Sequence, residues 1–192
     1  MTRIVAGSAG GRTLKVPPRG TRPTSERVRE ALFSRLDHMD VLTGSRVLDL
    51  FAGSGALGLE AASRGARLVD LVERSRPAAQ VADANARSTG LGDVARVHAT
   101  DVRTYLSTRA GDTPLGGDVD VVLLDPPYDL AEDDLTTVLV LLDPWLTPDS
   151  LVVVERSSRS PEPDWPAHLN LEERRSWGET VVWFAGPPLP RD

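Results

Sequence analysis

The stretch DLFAGSGALG, residues 49–58, decides the fold that we predict for this chain. It runs from the end of a predicted strand at residues 46–50 into the start of a predicted helix at residues 56–64. Three glycines satisfy the pattern G-x-G-x-x-G: Gly53, Gly55 and Gly58. Such glycines let backbone amides at a helix N-terminus approach a ligand closely. The stretch therefore predicts a nucleotide-type cofactor site in an α/β fold. The alternative is a glycine turn used only for packing a helix against a strand.

An acidic residue, Glu73, ends the next predicted strand 20 positions after Gly53, where it can accept hydrogen bonds from ribose hydroxyls. Both a dinucleotide and S-adenosylmethionine fit this arrangement. In a dinucleotide site the first glycine directly follows the strand, because the pyrophosphate lies over that turn. Here Asp49 and the bulky Phe51 precede the glycine, and a carboxylate repels a pyrophosphate but can receive the α-ammonium group of a methionine moiety. We therefore predict S-adenosylmethionine. Asp101, after the third strand, can accept from the adenine amino group or simply cap the following helix.

A second motif, DPPY at residues 125–128, follows the fourth predicted strand at the sheet edge where parallel α/β folds bind ligands. Methylating the exocyclic amine of a nucleobase is difficult because the nitrogen lone pair is delocalised into the ring. Asp125 and the carbonyl of Pro126 can accept hydrogen bonds from the amine. Tyr128 offers a flat face for an extruded base. The motif predicts methyl transfer to a base amine without a metal. The alternative is an ordinary turn in which Tyr128 is packing.

The remaining chain alternates between strands and helices. Strands are predicted at residues 46–50, 68–73, 94–99, 119–124 and 151–155, and helices at residues 56–64, 77–88, 102–108 and 130–146. The last helix is predicted to begin with a capping box of Asp129 and Glu132. Hairpins are predicted at residues 3–16 and 168–184, and a helix from Thr24 or Ser25 to about residue 39. We predict an α/β fold: a doubly wound, mostly parallel, seven-stranded Rossmann-like sheet with an antiparallel C-terminal hairpin and a small N-terminal β-hairpin and helix extension.

Charge is distributed unevenly along the 192 residues, whose formal net charge is −6. The first 46 residues hold nine basic and four acidic side chains, and the remainder holds 13 basic and 24 acidic ones. A basic arm on an acidic body is typical of a nucleic-acid partner. We therefore predict an RNA-contacting arm at residues 1–40, a catalytic domain at residues 41–185 and a flexible tail at residues 186–192.

Composition excludes several other classes of protein. Hydrophobic residues make up 40% of the chain, which excludes a disordered or fibrous protein. The longest aliphatic run, residues 138–142, is too short to cross a bilayer, and no secretory signal is evident, so we expect a cytoplasmic protein. The chain has no cysteine, which excludes disulfides and thiolate metal sites.

The whole sequence resembles the RsmD family of class I methyltransferases, which methylate the N2 amino group of a guanine in 16S ribosomal RNA. The resemblance rests on DLFAGSGALGLE at residues 49–60, on DPPY, and on an N-terminal pattern: RIVAG at residues 3–7, GR at 11–12, RPT at 22–24 and RVREALF at 27–33. It implies S-adenosylmethionine as cofactor, 16S rRNA within a small-subunit particle as partner, no membrane or metal, and a monomer.

The resemblance also implies a set of site residues. The cofactor would be bound by Asp49, Phe51, Gly53, Ser54, Gly55, Glu73, Asp101 and Val102. The guanine would be held by Asp125, Pro126, Pro127 and Tyr128. The RNA would be contacted by Arg3, Arg12, Arg22, Thr24 and Arg27.

Three alternatives remain at this point. DPPY also serves enzymes that methylate the amino groups of DNA adenine or cytosine, although this chain has no room for a separate target-recognition domain. A non-catalytic RNA- or nucleotide-binding protein would share the glycine-rich turn. An NAD-linked reductase would commonly need a tyrosine with a nearby lysine as its general acid, and the single lysine, Lys15, lies in the arm.

Overall fold

A seven-stranded mixed sheet forms the centre of the chain in a computed structural model that describes residues 2–17, 25–108 and 117–188. The elements are β1 (Thr2–Arg3), β2 (Thr13–Leu14), α1 (Glu26–His38), β3 (Arg46–Leu50), α2 (Ala56–Ser63), β4 (Leu68–Val72), α3 (Arg76–Thr89), β5 (Ala95–His98), α4 (Val102–Ser107), β6 (Val119–Leu124), α5 (Glu132–Leu141), a 3₁₀ turn (Asp143–Trp145), β7 (Leu146–Ser157), β8 (Asn170–Trp177) and β9 (Thr180–Gly186). The strand order is β5-β4-β3-β6-β7-β9-β8. Strands β3 to β7 are parallel, and β9 pairs antiparallel with β7 and β8. The predicted fold is confirmed.

Two apolar clusters cover the two faces of the sheet, because successive side chains of its aliphatic strands point to opposite faces. In β3, Val47 belongs to the cluster under α1, α2 and α3, whereas Leu48 and Leu50 belong to the cluster under α4 and α5. The central strands are therefore buried on both sides, as a doubly wound sheet requires. This burial fixes the position of the strand ends, where the two sequence motifs begin.

The N-terminal arm is packed onto this core. Ile4, Leu14 and Phe33 are buried in the same cluster as α2. The buried carboxylate of Glu60 on α2 accepts hydrogen bonds from the backbone amides of Val5 at 2.7 Å and of Ala6 at 3.1 Å. The hairpin is shorter than predicted, but α1 begins after the expected cap, Ser25, whose hydroxyl accepts from the amide of Val28. The division at residue 40 stays a prediction, although the described part of the arm shares its core with the domain behind it.

The chain after β6 differs from the prediction in three places. The capping box of Asp129 and Glu132 is wrong: α5 begins after Ala131, which caps no amide with its side chain. A turn closed by the Leu130 amide donating to the Pro127 carbonyl at 3.0 Å holds Asp129 outside the helix. The helix also ends at Leu141, and the following 3₁₀ turn leads directly into β7, which is longer than predicted at both ends.

The C-terminal boundary also differs by one residue. Gly186 belongs to β9 and pairs with Asn170, so a tail beginning at residue 186 is wrong at its first residue. Residues 189–192 lie outside the described part of the chain. None of the helices in the described ranges is long and apolar enough to cross a membrane.

Candidate active site

A cavity of about 640 Å³ lies at the carboxyl edge of the parallel strands and brings the two sequence motifs together. The predicted cofactor residues that line it are Asp49, Phe51, Gly53, Ser54, Glu73, Asp101 and Val102. The predicted base-holding residues that line it are Asp125, Pro126, Pro127 and Tyr128. Gly55 does not line the cavity. It faces the core instead, since a Cβ at this position would lie 3.3 Å from the side chains of Leu59 and Leu71. Its positive φ of 81° instead lets the chain turn into α2.

The glycine-rich loop has an unusual backbone. Phe51, Gly53 and Gly55 all have positive φ, of 66°, 56° and 81°. A left-handed conformation is uncommon for a bulky residue such as Phe51, and such strain concentrates at ligand sites. The loop is held by its neighbours, because the Ala52 amide donates to the Val72 carbonyl at 3.0 Å. Gly53 and the start of α2 are thereby fixed against the cavity.

Asp49 is the most deeply buried carboxylate of the site, with 1% of the residue exposed. Its Oδ2 accepts a hydrogen bond from the Gly58 amide at 2.8 Å, and its Oδ1 accepts none within the described chain. Burial raises the pKa of Asp49 to about 8, and the negative charges of Asp125 and Glu73 add to this, while the Gly58 amide opposes it. A buried acceptor oxygen at a cavity wall fits a cationic group such as an ammonium.

Glu73 connects the glycine-rich loop to the start of α3. Its Oε2 accepts from the Gly53 amide at 2.9 Å, and its Oε1 accepts from the Ser75 amide at 2.7 Å. Each oxygen keeps a further lone pair for the hydroxyls of a ribose. Asp101 caps α4, since its Oδ1 accepts from the Arg103 amide at 2.9 Å. The capping alternative for Asp101 is therefore correct, and the residue also lines the cavity.

The DPPY turn presents its aromatic ring to the outside. Tyr128 is 68% exposed, whereas Pro126 is buried. The alternative in which Tyr128 serves as packing is therefore wrong. Asp125 is partly buried and close enough to Asp49 for their charges to interact. The turn thus places a carboxylate, a donor-free proline and an exposed ring along one side of the cavity.

The predicted RNA-contacting residues are only partly brought together. Arg27 is exposed and lines a second cavity, of about 860 Å³, together with Tyr128. Arg3 pairs with Glu26 at 2.7 Å, and exposed Arg12 lies 3.4 Å from a backbone carbonyl of α3. Neither Arg3 nor Arg12 lines a described cavity. Arg22 and Thr24 lie outside the described residues.

Two residues that the sequence analysis missed belong to the site region. Glu155, near the end of the buried run of β7, is 7% exposed and lines both cavities. It could have been found as an acidic side chain that ends a predicted strand, like Glu73. Asn85 on α3 donates to the Ser54 carbonyl at 2.9 Å and also bonds both backbone groups of Lys15 at 2.9 Å. It gave no sequence signal.

The chain is similar to known proteins over nearly its whole length. A family described as "Conserved hypothetical protein 95" matches residues 2–186. The "Putative rRNA methyltransferase YlbH" of Bacillus subtilis is 35% identical over 184 residues, covering 94% of this chain and 96% of that protein. The "Ribosomal RNA small subunit methyltransferase D" of Escherichia coli K12 is 35% identical over 180 residues, covering 93% and 86%. The solved structure of "Putative methyltransferase yhhF from Escherichia coli" has a TM-score of 0.82 at 32% identity, covering 97% of each chain.

Proposed function

The chain belongs to the RsmD family of ribosomal RNA methyltransferases, and from this we propose that it methylates the exocyclic N2 of a guanine in 16S rRNA. The observation that carries the proposal is the convergence of DLFAGSG and DPPY on one cavity. The first supplies acceptors for the polar groups of S-adenosylmethionine, and the second supplies acceptors for a base amine. We further propose that the protein acts as a monomer, in the cytoplasm, on a small-subunit particle.

The residues on the cofactor side fit S-adenosylmethionine. Asp49 Oδ1 is a buried acceptor suited to the α-ammonium group, and Glu73 and Asp101 are acceptors for the ribose hydroxyls and the adenine amino group. When bound, this cofactor supplies a methyl group on a positively charged sulfur, which keeps the electron pair of the broken bond. The acidic wall of the cavity, with Asp49, Glu73 and Asp125, favours such a cation.

The residues on the other side fit a base amine. The Asp125 carboxylate and the Pro126 carbonyl can accept the two N2–H groups, which localises the nitrogen lone pair out of the ring plane. Tyr128, exposed at the cavity mouth, can stack on the extruded base. One N2 proton is lost as the N–C bond forms, so an anionic acceptor at Asp125 stabilises the developing charge.

The RNA side of the proposal rests on charge and position. The first 46 residues carry five more basic than acidic side chains, and Arg27 lines a cavity together with Tyr128. An arginine here can contact a phosphate next to the target base. Arg3, Arg12, Arg22 and Thr24 remain part of the proposed RNA-binding set.

Methyl transfer to small subunits tests the proposal directly. Small subunits from cells that lack this protein, incubated with it and tritiated S-adenosylmethionine, should gain label at one guanine located by mass spectrometry. Asp125→Ala should lower kcat about ten- to a hundredfold through loss of a charged hydrogen bond. Its cofactor Kd should stay within about threefold, because the main cofactor acceptors are elsewhere. Asp133→Ala, the same change on the exposed start of α5, is the matched control.

Three results would contradict the proposal. Label in duplex DNA and none in rRNA would identify a DNA methyltransferase. Calorimetric binding of NAD without binding of S-adenosylmethionine would identify a reductase-type site. An equal loss of cofactor affinity and rate in Asp125→Ala would assign Asp125 to the cofactor instead of the base.

A further inference from the structure

Two cavities meet at the carboxyl edge of the sheet. The second cavity lies between the start of α1 and the turn that joins β8 to β9. Among the residues that the structure describes, two line both cavities: Tyr128 and Glu155. We call the first cavity, which holds the predicted cofactor residues, the cofactor cavity. A base that enters from the second cavity therefore meets the cofactor cavity at these two side chains.

Glu155 stands beside the residue that is proposed to hold the target amine. Strands β6 and β7 are parallel, and their last paired residues are Leu124 and Val154. The residue after each of these is acidic: Asp125 directly follows β6, and Glu155 lies on β7, so both lie at the same level of the sheet edge. Both line the cofactor cavity, and Glu155 is only 7% exposed. A nearly buried carboxylate thus adjoins the DPPY turn.

Charged side chains of both signs line the second cavity: Glu155 lies where it meets the first cavity, and Glu179 pairs with Arg159 at 3.9 Å. Arg27 and Arg159 line this cavity, and the Arg159 side chain is 88% exposed. Cations at the mouth suit the phosphates of an RNA strand. Beneath the site, buried Arg29 interacts electrostatically with Glu155 and is itself held by donating to the Arg3 carbonyl. A positive charge therefore lies within electrostatic range of the Glu155 carboxylate.

A carboxylate acceptor beside Asp125 can distinguish guanine from other bases. If Asp125 and the Pro126 carbonyl hold the N2 amine, the neighbouring edge position of guanine is N1–H, a donor. Adenine, and also 2,6-diaminopurine, which keeps the 2-amino group, have a lone pair at N1 instead. A carboxylate accepts strongly from N1–H and repels a lone pair. Resting on the proposed function, we propose that Glu155 selects guanine by accepting the hydrogen bond of its N1–H.

The test compares two bases that carry the same 2-amino group. Small subunits are reconstituted from 16S rRNA in which splint ligation places guanine or 2,6-diaminopurine at the mapped position. The wild type should prefer guanine by at least about a hundredfold in kcat/KM. Glu155→Gln should lower the guanine rate, because a neutral amide oxygen accepts from N1–H less strongly than a carboxylate does. It should also narrow the preference for guanine at least about tenfold, because the amide can donate to N1 of 2,6-diaminopurine. Glu172→Gln, the same change on exposed β8, should keep the wild-type preference.

The outcomes separate selection from a merely structural role. If Glu155 only neutralises Arg29, Glu155→Gln lowers the rates for guanine and 2,6-diaminopurine equally and leaves the preference unchanged. That result overturns the inference. An unchanged guanine rate in Glu155→Gln also overturns it. Glu155→Asp keeps the charge and should keep the preference at a lower rate, which covers the case in which the glutamine variant fails to fold. A wild type that leaves guanine unmethylated overturns the proposed function itself, and this inference with it.

Discussion

Replacing Asp49 by asparagine separates the charge of the cofactor cavity from its shape. The amide oxygen of asparagine can still accept from the Gly58 amide, which bonds to Asp49 Oδ2 at 2.8 Å. The variant therefore keeps the contact that anchors the start of α2. What it loses is a carboxylate that can become negative beside an ammonium group. We expect cofactor binding by Asp49→Asn to be weaker, and weaker by a factor that depends on pH.

The magnitude follows from the pKa of Asp49, which burial raises from 3.8 to about 8. At pH 7 the protonated form exceeds the ionised form about tenfold, so ionising the carboxyl to meet an ammonium costs about 1.4 kcal/mol. At pH 9 this cost has vanished. A charged hydrogen bond is worth about 1.5–3 kcal/mol, or about ten- to a hundredfold in Kd. The ratio of the two Kd values, variant over wild type, should therefore grow about tenfold between pH 7 and pH 9.

Calorimetric titration with S-adenosylmethionine at several pH values measures this ratio. The ligand's own titration affects both proteins equally and cancels in the ratio. At pH 7, titration in two buffers of different ionisation enthalpy should also show that the wild type releases about one more proton on binding than the variant. A ratio that stays constant between pH 7 and pH 9 would refute the assignment of Asp49 to the ammonium group.

The same pKa predicts the effect of Asp49→Asn on stability. In the unfolded chain the Asp49 carboxyl loses its proton near pH 3.8, and in the folded protein only near pH 8. Between these values the unfolded state binds fewer protons, so the wild type loses stability as pH rises, by about 1.4 kcal/mol per pH unit from this group. The variant lacks this loss. In urea denaturation, the free energy of unfolding of the variant minus that of the wild type should increase from pH 5 to pH 8. A difference that stays constant over this range would contradict the raised pKa.

Two further predictions concern the packing behind the cofactor loop. Gly58→Ala should destabilise the protein by about 1–3 kcal/mol, because the new Cβ would lie 2.2 Å from Leu71 Cδ2. Gly92→Ala is the control and should not destabilise it, since the new Cβ would have no atom nearer than 3.7 Å. Equal urea midpoints for the two variants would contradict this prediction. Asn85→Ala should cost about 2–4 kcal/mol by removing three buried or partly buried hydrogen bonds, and it should weaken cofactor binding. Gln80→Ala, on the exposed side of α3, should change neither the stability nor the cofactor affinity. If urea denaturation and calorimetry show larger losses for Gln80→Ala than for Asn85→Ala, the proposed role of Asn85 is wrong.

Most parallel strands of the sheet could be predicted because each carries a short aliphatic run bounded by polar residues or glycines. Polar β8 could be predicted only as one arm of the closing hairpin. The predicted bounds of β3 and β6 agree with the structure at both ends. The start of α5 could not be predicted, because the spacing of Asp129 and Glu132 is a local pattern that competes with a backbone turn of the preceding prolines. That turn keeps the cap residue outside the helix. Local patterns were reliable where no neighbouring segment competed for the same residues.

The site could be predicted where chemistry coincides with the end of a strand. Asp49, Glu73 and Asp125 each follow or end a buried strand, and parallel strands bring such ends to one edge. Glu155 obeys the same rule, but its strand precedes the closing hairpin, where no known motif drew attention to it. The second cavity depends on how α1 and the β8–β9 turn approach this edge, and such an approach between distant segments has no local signal.

The connection between the arm and the cofactor loop shows most clearly why part of the site cannot be predicted. Asn85 bonds to the backbone amide and carbonyl of Lys15 and to the backbone carbonyl of Ser54. Because these partners are main-chain groups, almost any residue at positions 15 and 54 would serve, so the sequence there need carry no trace of the contact. Glu60 holds the amides of Val5 and Ala6 in the same way. The arm proposed to contact RNA and the loop proposed to bind the cofactor are therefore held by shared side chains, and a change that shifts one should shift the other.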